Sequence, residues 1–379
     1  MHRDRRDAGT ELARVAEGHR WGRRAARWGA VGAAALLAAG FGAYVRHNLT
    51  GLRKGMEAVA AAGFVERKVN VGGHDVNFAE GPRNGPPLLL IHGQCSQWQD
   101  HMLVLPQLAA QHHVFVVDVP GHGGSDRLPP TSYTCVDVAR VLAGFMEATI
   151  GGPAIVSGHS SGGLLALWLA AERGDLVSGL VLEDPPLFSS TMPRLVDSTG
   201  GDGLAVAHRY LAEGGPGDYQ AYFVEHSQYF SFFGRLADPI RDYALGRARG
   251  RPGEPVTIWF LPPTVTVFFQ GLVNYDPAFG AAWIDDIWYR DFDTDTALAA
   301  VDVPTTLIHT NFFENREGTA YTDSGFLRAA MDRDDVARAL KHLPKETPLI
   351  QIQSGHLVHF ERPAPYLEAV RGLTERVHG

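Results

Sequence analysis

Three short stretches carry residue types that together can cleave an acyl bond. The first is Ile155-Val-Ser-Gly-His-Ser160-Ser-Gly-Gly163. It fits G-x-S-x-G, placed after an apolar run and before a helical one. A nucleophile on such a turn sits on strained backbone, so its neighbours two places away, Gly158 and Gly162, must be small. The turn lifts Ser160 Oγ out of the strand. It also aims the backbone N–H of Ser161, in the first turn of the helix, at a developing oxyanion. Ser160 is therefore the expected nucleophile. The second stretch is Leu88-Leu-Leu-Ile-His-Gly-Gln94. The loop leaving that run is expected to supply the other oxyanion donor, the backbone N–H of Gln94; His92 reads as structural. The third is Ser354-Gly-His356-Leu-Val-His-Phe-Glu361. A histidine on a loop just past a strand can reach Ser160 as general base. The chain has 17 histidines, so it is the Gly355-His356 pair at a strand end that singles this one out. His359 is expected to start a helix against the core.

A serine–histidine pair needs an acid to orient the imidazole and stabilise imidazolium. Asp184 follows the run Leu180–Glu183 directly and is the preferred candidate. Glu314 lies in the loop after Thr305–His309. Asp332, in Met331-Asp-Arg-Asp-Asp335, also reads as a helix N-cap with Asp335 behind it. The alternatives Glu314 and Asp332 stay open.

These residues need strand ends to hold them, and the pattern supplies strands. Phe64–Val71 and Val76–Glu80 read as a hairpin around Gly72–Gly73. Leu88–His92, Val114–Asp118, Ala154–Ser157, Leu180–Glu183, Thr305–His309 and Leu349–Ile352 are short apolar runs bounded by glycine or proline, as suits strands buried on both faces. Helical stretches alternate with them: Trp98–Ala110, Cys135–Ala148, Ser161–Glu172, Asp334–His342 and Pro365–Val377. The alternation predicts an α/β fold, a doubly wound, mostly parallel, eight-stranded sheet. Residues 187–300 break the alternation and are too long for a loop. They read as a mainly helical cap inserted between core segments 66–186 and 301–379. The cap is aromatic-rich, with rings expected both in its own core and along an apolar pocket.

Composition bounds the function. Of 379 residues, 45% are hydrophobic and 20% charged, values of a folded globular chain rather than a disordered, collagen-like or polytopic membrane protein. The net charge of −8 argues against a nucleic-acid partner. Cys95 and Cys135 lie in no metal-ligand spacing, so no metal is expected; whether they pair is not legible, nor is the oligomeric state. Residues 1–27 are basic. Residues 28–45 carry no charge and would span about 27 Å as a helix, just enough for a bilayer. They read as a transmembrane signal anchor, with 46–65 as a linker. The positive-inside rule then puts the N-terminus in the cytoplasm of a bacterial cell and the catalytic domain outside. A cleaved signal or a soluble helix are the alternatives.

The three motifs together resemble the α/β-hydrolase superfamily. Asp118-Val-Pro-Gly-His-Gly-Gly-Ser125 is similar to its D-x-P-G-x-G-x-S stretch, and Glu361-Arg-Pro363 to its usual carboxyl end. The order Ser160, acid, His356 matches the superfamily's chain order. The resemblance is to the capped serine-hydrolase branch of esterases and C–C hydrolases. Epoxide hydrolases and haloalkane dehalogenases of this kind use Asp as nucleophile, and Ser160 argues against both. The resemblance implies an acyl-enzyme on Ser160 and its hydrolysis, with no cofactor. The substrate would be an ester, thioester or lactone of a fairly apolar small molecule. Hydrolysis of a C–C bond in a diketone-type ring-cleavage product is the alternative; a non-catalytic ligand-binding protein on the same fold is the alternative of another class. The acid departs from the family pattern. Most relatives place it in a G-x-x-D turn, and this chain reads His309-Thr-Asn-Phe-Phe-Glu314 there. Asp184 occupies the position some lipases and dehalogenases use instead.

Overall fold

Eight strands build one sheet in a computed structural model that describes residues 37–315 and 318–379. They are β1 (Val65–Val71), β2 (His74–Glu80), β3 (Pro87–Ile91), β4 (His113–Val117), β5 (Ala154–His159), β6 (Val177–Glu183), β7 (Thr305–Thr310) and β8 (Leu349–Ile352). Their order is β1-β2-β4-β3-β5-β6-β7-β8. β1–β2 and β2–β4 pair antiparallel; every other neighbour is parallel. The central strands β3, β4 and β5 are buried along nearly all of their length, because helices cover both faces of a parallel sheet. From β3 the chain passes to β4 on one side and returns as β5 on the other. The winding thus reverses between β3 and β5, where a ligand crevice opens outside the carboxyl ends of the strands.

Helices Cys135–Phe145, Ser161–Glu172, Arg333–His342 and Pro363–His378 fall where the periodicity puts them. The stretch expected as one helix over Trp98–Ala110 is instead a 3₁₀ turn, Trp98–His101, and one helical turn, Leu105–Leu108. The reason is local: Asp118 Oδ1 accepts the Trp98 N–H at 2.8 Å, and Pro106 sits at the start of the second piece, where a proline is tolerated.

Between β6 and β7 the chain is helical, including Thr199–Ala212, Tyr219–His226, Ala237–Gly250, Pro263–Val273, Pro277–Ile284 and Thr294–Ala300. Pro262-Pro263, which interrupts an apolar run in the sequence, marks a helix start. The aromatic stretch packs largely on itself: the Tyr229 ring stacks on Phe268 at 4.6 Å, Phe230 on Phe269 at 6.1 Å, and Phe223 meets Phe268 at 5.4 Å.

The chain clusters into two units. One is residues up to 51 with Trp259–Leu261; the other is Leu52–Ile258 with Pro262–Gly379. In the first, Phe41 meets Trp259 edge-on at 5.9 Å and Asn48 Nδ2 donates to the Trp259 carbonyl at 3.1 Å. The expected transmembrane anchor, 28–45, lies partly outside the described residues. Of it, 37–45 are helical, in a helix that runs to residue 61. Among the described residues no helix is long and apolar enough to cross a membrane, since this one takes in Arg46, Arg53, Lys54 and Glu57 after its apolar start. Cys95 and Cys135 are free thiols, both buried.

Candidate active site

Three strand ends converge on the crevice, and each carries a residue forced into left-handed backbone. Cys95 lies on the loop after β3 with φ 55°, Ser160 directly follows β5 with φ 53°, and Asp184 directly follows β6 with φ 44°. None is glycine, so each position is strained. Such strain persists only where the surroundings fix it, and here it re-aims three side chains or loops away from the sheet.

Around Ser160 the backbones touch. A Cβ on Gly158 would stand 2.2 Å from the Gly162 carbonyl oxygen, and one on Gly162 would stand 2.4 Å from that of His92. A Cβ on Gly93 would lie 2.8 Å from Ser160 Cβ. The glycines therefore let the β3 loop and the turn meet. Gly162→Ala is expected to cost about 3 kcal/mol of stability, read as a lower thermal midpoint. Gly152→Ala, with nothing within 4 Å of its would-be Cβ, should leave it in place.

Ser160 N–H donates to the Glu183 carbonyl at 3.0 Å. Among the described residues, no protein acceptor takes the backbone N–H of Gln94 or of Ser161, the two sequence-expected oxyanion donors. The Gln94 loop is held from two sides. Gln94 Nε2 donates to Tyr275 Oη at 2.9 Å, and Cys95 N–H donates to His122 Nε2 at 3.3 Å. A Cβ on Gly271 would stand 2.0 Å from the Cys95 carbonyl oxygen, so the helix Pro263–Val273 packs directly on this loop. His92 is buried and structural. Its Nδ1–H donates to the Gly93 carbonyl at 2.7 Å and its Nε2 accepts the Val119 N–H at 3.0 Å. Burial pulls its pKa down to about 4, despite the Gly93 bond, so it is neutral.

His356 stands on the loop after β8. Its Nδ1–H donates to Asp184 Oδ2 at 2.7 Å. Its backbone carbonyl accepts from Nε2 of His159, the residue before Ser160, at 3.0 Å, and the two imidazoles lie 4.6 Å apart. The Nδ1 bond leaves Nε2 as the basic nitrogen. No hydrogen bond joins Nε2 to Ser160 Oγ in this conformation; such bonds tighten when substrate binds. Desolvation opposes a charged His356, but the bond and charge of Asp184 outweigh it and raise the pKa.

Asp184 is 1% exposed. Thr310 donates to it twice, from N–H to Oδ1 at 3.1 Å and from Oγ1 to Oδ2 at 3.0 Å. His309 Nδ1 lies 3.6 Å from Oδ1. Burial alone would raise this carboxyl's pKa, yet His309 and His356 together bring it below the usual carboxylate range. The other two acids are engaged elsewhere. Glu314 pairs with Arg333 at 2.8 Å, its nearest imidazole being His309 at 3.8 Å. Asp332 caps the helix Arg333–His342 and accepts from Arg194 at 2.7 Å and Tyr321 at 2.9 Å. Of the three sequence candidates, only Asp184 meets His356.

Sequence reasoning passed over Tyr275, His122, His309, Thr310 and Glu183. One signal was available: Thr310 ends a strand run parallel to the one that ends at Asp184, so a hydroxyl at that register can reach the carboxylate. Among the described residues no cluster of three or more metal-ligating side chains occurs.

A family model described as alpha/beta hydrolase fold matches residues 86–229. The 2-(acetamidomethylene)succinate hydrolase of Mesorhizobium japonicum is 33% identical over 126 residues, which are 33% of this chain and 45% of that one. The pimeloyl-[acyl-carrier protein] methyl ester esterase of Chromobacterium violaceum is 36% identical over 119 residues, 31% of this chain and 42% of that one. The chain thus spans less than half the length of these curated relatives. A crystal structure of a membrane phospholipase A, a bacterial virulence factor, superposes with a TM-score of 0.58 at 22% identity, covering 92% of this chain and 98% of that one. That likeness is one of fold.

Proposed function

We propose that this chain, whose residues 86–229 match the alpha/beta hydrolase fold family model and which is 33% identical to a hydrolase over 126 residues, is a serine hydrolase of esters, thioesters or lactones. The observation that carries this reading is the 2.7 Å bond from His356 to Asp184, set beside a serine on a strained strand–helix turn. In this mechanism His356 Nε2 takes the Ser160 proton as Oγ attacks the substrate carbonyl. The tetrahedral oxyanion receives the N–H groups of Gln94 and Ser161, each such donor being worth about 3–4 kcal/mol of transition-state stabilisation. Imidazolium, stabilised by Asp184, returns the proton to the leaving group. Water then attacks the acyl-enzyme by the same route in reverse. The hydrolase and esterase relatives support hydrolysis as the reaction; the aromatic richness of residues 219–233 supports an apolar acyl or leaving group.

A fluorophosphonate probe tests this without presupposing a substrate. The full-length protein should take one adduct, on Ser160 by mass spectrometry, and His356→Ala should take none. A folded protein that stays unlabelled, or one labelled equally well in the His356→Ala variant, would contradict the proposal.

A further inference from the structure

We propose that Glu183 is a positioning residue that keeps Ser160, Asp184 and His356 in register, acting on the histidine through His359. This rests on the functional reading above. Glu183 is the last residue of β6 and is fully buried. Three links leave it. Its carbonyl accepts the Ser160 N–H at 3.0 Å. Its peptide bond leads into Asp184. Its Oε1 accepts the His359 backbone N–H at 2.9 Å, and His359 Nδ1 lies 2.9 Å from both carboxylate oxygens. Two neighbouring acids at one strand end thus each hold a histidine of the same segment: Asp184 holds His356, and Glu183 holds His359, three residues on.

Strand geometry makes this division possible. Val181, two residues before Glu183 and so on the same face, packs in the core cluster with Tyr366, Val370 and Leu373 of the C-terminal helix. Glu183 therefore points beneath the sheet end, where the short helix Val358–Glu361 begins. Asp184 escapes the alternation through its left-handed φ of 44° and turns up into the crevice. The His359 ring is also fixed on its flat face, where His101 stacks at 4.1 Å and 10°, with the Tyr366 ring at 5.9 Å and the His159 ring at 5.1 Å on other sides. A buried carboxylate costs free energy that an apolar side chain of its size would not. What it adds here is a fixed distance between the strand end and the histidine loop, and a displacement of about 1 Å in such a loop costs on the order of 100-fold in rate.

The charge matters as well. The groups facing His356 are Asp184, Glu183, Glu361 and His159; those facing the Glu183–His359 pair are His101, Asp100, His92, His159 and Tyr366. Glu183 is one of three carboxylates that favour protonated His356. Removing its charge therefore lowers the His356 pKa, and the acid limb of activity moves to lower pH.

The test compares full-length wild type, Glu183→Gln and Glu183→Ala for hydrolysis of an aryl ester across pH, and follows the His356 imidazole titration by NMR, assigned against His356→Ala. Glu183→Gln keeps an acceptor for the His359 N–H. It should lose about 10-fold in kcat, with the acid limb and the His356 titration both shifted to lower pH. Glu183→Ala should lose about 100-fold in kcat, with KM within a few-fold. A merely structural Glu183 would move thermal stability and leave the titration in place. Wild-type kcat and an unshifted His356 titration in folded Glu183→Gln would overturn the proposal, and that variant decides if Glu183→Ala does not fold. A wild type that takes no fluorophosphonate would sink the serine-hydrolase reading alone, because the His356 titration still decides the role of Glu183.

Discussion

Ser160→Ala should lower kcat on an aryl ester by on the order of a million-fold, while KM stays within a few-fold. The size follows from what Ser160 supplies. Without Oγ there is no acyl-enzyme, and water must attack the carbonyl directly in a crevice arranged for a nucleophile fixed at the end of β5. The substrate contacts and the N–H groups of Gln94 and Ser161 survive, so a residual rate of about a thousand-fold or more over water should remain. His356→Ala should cost a similar amount for a different reason. The neighbouring His159 is a poor substitute, because burial holds its pKa well below the usual imidazole value and its Nε2 is spent on the His356 carbonyl. Since the two residues act in one step, the double variant should be no worse than either single one. Steady-state rates for the three variants check this. Losses that multiply would mean that serine and histidine act separately, and the acyl-enzyme mechanism would fall.

The parts of this site that a sequence displays are those fixed by local geometry. Gly158 and Gly162 are required by backbone atoms that a Cβ would strike at 2.2 and 2.4 Å, so the elbow writes itself into five consecutive residues. The β3 loop is legible for the same reason, with Gly93 pressed against Ser160. The sheet is legible because strands buried on both faces need continuous apolar runs. The limits are equally physical. The stretch Trp98–Ala110 reads as one helix by periodicity, yet the Trp98 N–H bond to Asp118, a contact across 20 residues, breaks it into a 3₁₀ turn and a single helical turn. The rings between β6 and β7 carry no periodic signal to separate those that pack on each other, such as Tyr229 and Phe268, from those that face solvent, such as Phe232. Tyr275 is the clearest loss. It lies 181 residues from Gln94, and nothing local marks it as the side chain that holds the Gln94 loop.

The proposed acid, Asp184, shows the same limit in its sharpest form, because it is singled out by a contact across 172 residues. β6, β7 and β8 lie side by side, so a loop leaving β8 can reach over β7 to the end of β6. Only strand order makes Asp184 a neighbour of His356. Asp184→Asn should therefore lower kcat by on the order of ten thousand-fold. The amide can turn an N–H toward Nδ1 and favour the wrong tautomer, and it no longer stabilises imidazolium. The pH profile gives an independent sign. His356 must be neutral to act as base, and desolvation already disfavours its protonated form. Asp184 overcomes that and raises the pKa, so activity in the wild type rises with pH through a raised value. Losing the Asp184 charge removes the raising influence, and the residual activity of Asp184→Asn should set in at lower pH. Glu314→Gln should stay within a few-fold of wild type, because its carboxylate pairs with Arg333 on the far side of His309. Asp332→Asn should keep its rate and lose at most about 1 kcal/mol of stability, as expected of a helix cap. A profile in which Glu314→Gln is the crippled variant, with Asp184→Asn unaffected, would move the acid to the β7 loop and require that loop to close over the site during turnover.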